Sequence, residues 1–284
     1  MEKEEIGKAV RERYGNIAKQ GGSCCGSAKS CCGSTDSAQS ISRSIGYTEE
    51  ELKTVPEGAN LGLGCGNPIA LASLKEGEVV LDLGSGAGFD CFLAARQVGS
   101  AGKVIGVDMT AEMLERAREN ARKGGFGNVE FRLGEIENLP VGDNQVDIII
   151  SNCVINLSPN KKRVFQEAFR VLRPGGRLMV SDIVLLKDLP EEIRSSVAAY
   201  VGCIAGATTQ KEYLETIREA GFGETRVLGE AAFSVELLAN DPTAVEIAKN
   251  LKLSPERARD LASSVVSIKV SAIKPAVGPT RAGS

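Results

Sequence analysis

A chain of 284 residues with 42% apolar and 25% charged side chains has the balance of an ordinary globular protein, long enough for one large domain with an appendage or two small ones. Its formal charge of −3, without a dense basic stretch, excludes an electrostatic footprint for nucleic acid, and no apolar run approaches the roughly 20 residues of a membrane helix. Eight cysteines and no histidine exclude the usual mixed zinc sites and the usual general base, which leaves thiols, carboxylates or proximity to carry chemistry.

The first residues, MEKEEIGKAVRERYG, are charged throughout and unlike a secretory signal, so the expected location is the cytoplasm, where thiols stay reduced. Ile6, Val10, Tyr14 and Ile17 recur at helical spacing over Glu2 to Lys19 and predict an amphipathic helix. Glycine and serine dominate from Gly21 to Ser44, which reads as a mobile loop carrying Cys24-Cys25 and Cys31-Cys32. Neither pair has a standard zinc spacing. Thr48 with Glu51 forms a capping box for a short helix that Pro56 ends, and Asn60 to Pro68 (NLGLGCGNP) is a glycine-rich turn with Cys65 at its tip. A helix over Ile69–Leu74 follows.

Val79–Leu83 is a strand-like run that feeds Gly84, Gly86 and Gly88, and a helical pattern begins at Phe89. A strand, a glycine turn and a helix N-terminus make the first half of a nucleotide-binding unit, where backbone N–H groups face a ligand. The Gly-x-Gly-x-Gly spacing differs from the dinucleotide pattern and lacks a phosphate-loop lysine, so it suits a nucleoside without a pyrophosphate. Further strands are expected at Val104–Val107, Val129–Leu133, Val146–Ser151 and Arg177–Ile183, alternating with helices near Phe89, Ala111 (capped by Thr110) and Lys161. This alternation predicts a doubly wound parallel α/β sheet with its ligand at the strand C-termini. Beyond it come helices over Pro190–Tyr200, from the Thr209 capping box to about Ala220, near Thr243–Leu251 and over Pro255–Ser263. Strands are expected at Thr225–Leu228 and Val265–Ile273, and Pro275–Ser284 reads as a disordered tail. Together these predict a smaller C-terminal α+β region packed beside the sheet.

Asp82-Leu83-Gly84-Ser85-Gly86-Ala87-Gly88 resembles the first motif of class I S-adenosylmethionine methyltransferases. Downstream motifs follow in order: an acid, Asp108, ends the second strand; Gly134-Glu135-Ile136-Glu137 follows the third; Leu172-Arg173-Pro174-Gly175-Gly176 precedes the fifth. The resemblance implies a Rossmann-like core that binds S-adenosyl-L-methionine through Asp82, Gly84, Ser85, Gly86, Gly88, Asp108, Met109, Ile136, Glu137 and Asn152. Three regions are then expected: an N-terminal helix and loop over 1–60, the cofactor core over 61–185, and a substrate-side region over 186–284.

Cys91 lies among apolar neighbours and reads as a small core hydrophobe. Cys65, Cys153 and Cys203 instead lie in glycine-rich or strand-edge turns, and topology alone puts Cys153 where a methyl acceptor must sit. Leu63–Pro68, Ile105–Met109, Ser151–Leu157 and Gly202–Ala207 resemble the arsenite S-adenosylmethionine methyltransferases, from about Tyr14 to about Ala220. That family resemblance implies trivalent arsenic held by Cys65, Cys153 and Cys203, with its lone pair aimed at the sulfonium methyl. It also implies a resolving thiol among Cys24, Cys25, Cys31 and Cys32 that pairs with Cys65, and a thioredoxin- or glutathione-like reductant as partner. Soft arsenic suits thiolates and needs no deprotonation before attack, in keeping with the lack of histidine. A methyltransferase of a small organic metabolite and a non-enzymatic thiol buffer for metalloids are the alternatives. No nucleic acid or membrane partner is expected.

Overall fold

The computed structural model describes residues 3–20, 34–232, 249 and 254–276. Its centre is a sheet of seven strands in the order β3-β2-β1-β4-β5-β7-β6. The strands are β1 Val79–Leu83, β2 Lys103–Asp108, β3 Val129–Leu133, β4 Val146–Asn152, β5 Leu172–Leu185, β6 Gly223–Ala232 and β7 Val265–Ile273. The first five run parallel, with Leu81 beside Ile105 on one side and Ile149 on the other, whereas β7 is antiparallel to both β5 and β6. Val80, Leu81 and Leu83 are fully buried, as expected for a parallel strand covered on both faces.

Helices α1 Lys3–Gln20, α2 Ser34–Ser44, α3 Glu49–Thr54, α4 Ile69–Ala72, α5 Phe89–Val98 and α6 Ala111–Gly124 come from the first half of the chain. α7 Lys161–Val171, α8 Glu191–Arg194, α9 Val197–Val201, α10 Gln210–Glu219 and α11 Pro255–Ala262 follow. One core joins a sheet face to α7 and α10 through Phe165, Tyr213 and Ile217, and a second joins the other face to α4, α5 and α6 through Ile69, Phe92 and Leu114. A third apolar cluster, built from Ile6 and Val10 of α1, Ile193, Ala199 and Tyr200, surrounds Cys65, Cys153 and Cys203 beyond the end of β4.

Three expectations change. The C-terminal strands do not form a separate region beside the sheet; β7 pairs with β5 from Arg177↔Ile273 to Leu185↔Val265 and extends it. The Arg173–Gly176 turn is an irregularity inside β5, where Gly175 N–H donates to Lys274 O at 2.8 Å. The glycine-serine stretch contains α2, which buries Ala38 and, through Ser42, hydrogen-bonds Asn60. Residues 21–33, 233–248, 250–253 and 277–284, which include all but residue 249 of the expected helix near Thr243–Leu251 and most of the expected tail, lie outside the described residues.

Lys274 fastens the end of this extended sheet. It is 9% exposed, and its ammonium donates to Phe169 O (2.7 Å), Leu172 O (2.8 Å) and Asn144 Oδ1 (2.8 Å). Lys274→Met keeps the stem but leaves three acceptors without a donor. A loss of roughly 2–4 kcal/mol is expected in denaturant unfolding, and a loss below about 0.5 kcal/mol would deny this clamp its role.

Candidate active site

Sheet order reverses between β1 and β4, so the loops that leave their C-terminal ends diverge and open a crevice. The crevice is a cavity of about 600 Å³, in the size range of a cofactor pocket. Asp82, Gly84, Ser85, Gly86, Asp108, Met109, Ile136, Glu137, Asn152 and Cys153 line it, together with Tyr14 and Arg11 of α1. Gly88, expected among them, is not on the lining. Its φ of +93° caps α5, and a Cβ there would come within 2.7 Å of Phe92 Cζ, so its glycine serves the turn. Gly86 (φ +50°) has no atom within 4 Å of where a Cβ would point and leaves the backbone open to a ligand. Ser85 Oγ is buried without a hydrogen-bond partner.

Asp108 ties two of these loops together. Its Oδ2 accepts from Gly86 N–H at 2.9 Å and its Oδ1 from Thr110 N–H at 2.8 Å, so the carboxylate is held on the cavity wall by the loops on both sides of it. Thr110 stands at the N-cap of α6 as expected, but its side chain makes no capping bond. At the floor, the Cys91 thiol donates to Asp82 Oδ2 at 3.2 Å, so Cys91 is a donor to the site and more than a core hydrophobe. Burial, and then the Asp90 charge, push the Asp82 carboxyl up; burial, and then the Asp82 charge, hold Cys91 as a thiol.

Sequence reasoning missed three groups here, Tyr47, Asp90 and Tyr14. Tyr47 Oη donates to Asp90 Oδ1 at 2.6 Å, and both meet Asn152, whose Nδ2 lies 3.0 Å from Tyr47 Oη and 3.2 Å from Asp90 Oδ2. Burial pushes Asp90 up to about 6, against the downward pull of the Tyr47 and Asn152 donors. The folded protein therefore keeps a proton on Asp90 in a range where the unfolded chain has lost it. The resulting stabilisation is present below about pH 4 and is lost as pH rises through about 6. Asp90→Asn should flatten this fall by roughly 2–3 kcal/mol between pH 4 and pH 7 in denaturant unfolding. An unchanged slope would place the titration elsewhere.

Asn152 also holds the thiols. Its Nδ2 donates to Gly66 O (2.8 Å) and its Oδ1 accepts from Cys65 N–H (3.0 Å), which docks the Asn60–Pro68 turn on the end of β4. Ser267 Oγ of β7 donates to Cys65 O at 2.8 Å from the other side. Cys65 and Cys153 are joined as a disulfide with Cα atoms 5.8 Å apart, and the Cys203 thiol donates to Cys153 O at 3.0 Å. The three cysteines expected to act together pack in one cluster, but the Cys203 sulfur stands on the Cys153 carbonyl and outside the close group of the other two sulfurs, which are oxidised, so ligation requires their reduction. The disulfide lies between Cys65 and Cys153; Cys24, Cys25, Cys31 and Cys32 are outside the described residues. Cys153 (φ +57°) and Cys203 (φ +64°) occupy left-handed backbone, an arrangement that costs on the order of 1 kcal/mol or more at each non-glycine position and gathers at functional sites. Burial, then the neighbouring Asp182 charge, push the Cys203 thiol far up, against the pull of Lys161 and a hydrogen bond from Tyr14. Among the described residues no helix is long and apolar enough to cross a membrane.

Residues 74–221 match the family model of a methyltransferase domain. The chain is 46% identical over 279 residues to an arsenite methyltransferase of Halobacterium salinarum, with 96% of this chain and 68% of that protein covered. It is 36% identical over 235 residues to a human arsenite methyltransferase, with 79% and 60% covered. The crystal structure of an arsenic(III) S-adenosylmethionine methyltransferase from Chlamydomonas reinhardtii is 34% identical and superposes with a TM-score of 0.61, covering 84% of this chain and 74% of that one. The chain thus spans about 60 to 70% of the length of these curated relatives. With the Halobacterium protein the likeness runs over almost the whole chain, well past the Ala220 limit read from the motifs.

Proposed function

The chain belongs to the arsenite methyltransferase family, and from that premise we propose that it transfers a methyl group from S-adenosyl-L-methionine to trivalent arsenic held by Cys65, Cys153 and Cys203. The observation that carries this reading is the meeting of three cysteines from three segments beside the cavity, with Cys153 on its wall. A thiol cluster at the end of β4 is out of place for a carbon, nitrogen or oxygen acceptor, which would need a base in that position.

The residues of the cavity fit the cofactor. The orphaned Ser85 hydroxyl, the open backbone at Gly86 and the Asp108 carboxylate offer polar partners, and Met109 and Ile136 offer an apolar wall. When bound, the cofactor supplies an electrophilic methyl on a sulfonium centre. Glu137, fixed by the Ser158 hydroxyl, and Asn152 complete the polar lining. Capture of arsenite balances without a net proton: three thiols displace three hydroxides from arsenous acid, and each thiol proton leaves in a water. The enzyme's chief contribution is alignment, which can supply roughly 7–11 kcal/mol of the barrier.

The cycle needs Cys65 and Cys153 as thiols, so a thioredoxin- or glutathione-like reductant serves as partner, two reductant thiols becoming one disulfide as the enzyme's opens. A cytoplasmic location supplies that reductant. Incubation of the reduced protein with arsenite and methyl-labelled cofactor should give labelled methylarsenical. Intact cofactor binding without transfer of label to arsenic would refute the reading. Asp108→Ala removes a charged acceptor for the ribose hydroxyls and should weaken cofactor binding roughly ten- to hundredfold in calorimetry. Unchanged affinity would move the ribose away from β2.

A further inference from the structure

The thiol site contains one group that arsenic chemistry leaves unused. Asp182 of β5 has no exposed surface, and one of its carboxylate oxygens forms a cluster with the sulfurs of Cys65 and Cys153 in which all three atoms lie within 4.8 Å of one another. Its carboxylate is fixed by three donors: Tyr213 Oη on Oδ2 (2.9 Å), and Asn156 Nδ2 and Ile183 N–H on Oδ1 (both 2.9 Å). Such outer partners orient a ligating carboxylate and keep it a good ligand.

Trivalent arsenic makes three bonds and keeps a lone pair, so three soft thiolates complete it and a hard carboxylate adds nothing. A tetrahedral, borderline-soft divalent ion differs. It accepts thiolate at about 2.3 Å and carboxylate at about 2.0–2.2 Å in the same shell and tolerates water in the fourth position. In the disulfide the two sulfurs are bonded to each other, and once it is opened they part toward the roughly 3.8 Å of two thiolates on one tetrahedral ion, with the Asp182 oxygen already beside both. The Cys203 sulfur is not part of the cluster, because its thiol is directed to Cys153 O.

The geometry points to a second ligand of this site: after reduction, Cys65, Cys153 and Asp182 bind a thiophilic divalent cation of the Zn²⁺ class and exclude arsenite while it is bound. Two thiols of a dithiol reductant open the disulfide, giving two cysteine thiols and one oxidised reductant. The cation then displaces both thiol protons to solvent and takes a lone pair of Asp182. Zinc and arsenite share two thiols and differ in the third ligand, a carboxylate for zinc and Cys203 for arsenite. Only the competition between them rests on the arsenic reading above.

The test titrates Zn²⁺ into the reduced full-length protein with a chromophoric chelator as competitor, then repeats the titration with arsenite. One zinc per chain is expected at this site, displaced by arsenite. Asp182→Asn should weaken zinc at least tenfold and arsenite less than threefold, while Cys203→Ser should weaken arsenite and leave zinc within threefold. Cys65→Ser should weaken both. If Asp182→Asn does not fold, the Cys203→Ser titration still decides, since loss of zinc there refutes the carboxylate as third ligand. Zinc affinity unchanged in Asp182→Asn or Cys65→Ser refutes the site. Zinc binding without arsenite binding would overturn the arsenic reading and leave the zinc site standing; arsenite binding without zinc would do the reverse.

Discussion

Asn152→Ala is expected to lower arsenite methylation by two to three orders of magnitude in a protein that still folds. Asn152 hydrogen-bonds both the cysteine turn, at Cys65 N–H and Gly66 O, and the cavity floor, at Tyr47 and Asp90. Alanine leaves the Cys65 amide and the Gly66 carbonyl without that partner and removes a donor from a buried carboxylate, a combined cost of roughly 3 kcal/mol. Most of that falls on the position of Cys65, since β4 itself is held by Ile148–Ser151 against β1 and β5. A displacement of about 1 Å in a reacting group costs on the order of a hundredfold in rate. Steady-state kinetics with arsenite should show the loss in kcat/KM, with the melting temperature down by about 10 °C. Activity within threefold of the parent chain would mean that the turn keeps its place without β4.

The glycine turn and the five parallel strands were legible because both are local. The Val79–Leu83 run, its glycines and the helix behind them need only neighbouring residues to declare themselves. β6 and β7 were legible as strands, but not as members of the same sheet, because the pairing of Val265–Ile273 with β5 joins segments about 90 residues apart. α2 was hidden by composition: STDSAQSISRS has serine at five of eleven positions, and its helix depends on burying Ala38 and Ser42. The cysteines of the site were legible by their turns, yet their pairing was not. Cys65 and Cys153 are separated by 88 residues, and nothing near either one names its partner. Tyr47, Asp90 and Asp182 left no signal, since each acquires its role from a contact made across the fold.

Cys203→Ser should lower arsenite affinity by about a hundredfold and methylarsenite affinity by less than fivefold, with cofactor affinity unchanged. Serine is nearly isosteric, and the Tyr200–Ala207 segment is held by backbone bonds from Cys203 to Tyr200 O (2.9 Å), Ile204 to Ala199 O (2.9 Å) and Ala207 to Ile204 O (3.1 Å). The left-handed backbone at Cys203 is no worse for serine, so the fold and its closure over β4 survive. What changes is the ligand, because a hard hydroxyl replaces a soft thiol. Structural zinc in small peptides draws roughly 10–16 kcal/mol from its ligand set, so one soft ligand of three or four is worth on the order of 3 kcal/mol, about a hundredfold. Methylarsenite has only two exchangeable positions, and Cys65 with Cys153 can fill both once their disulfide is reduced. The loss therefore falls on the substrate that needs three thiols and spares the one that needs two. Direct titration of both arsenicals into the reduced variant separates the cases. Equal losses for the two, or none for either, would remove Cys203 from the arsenic ligands.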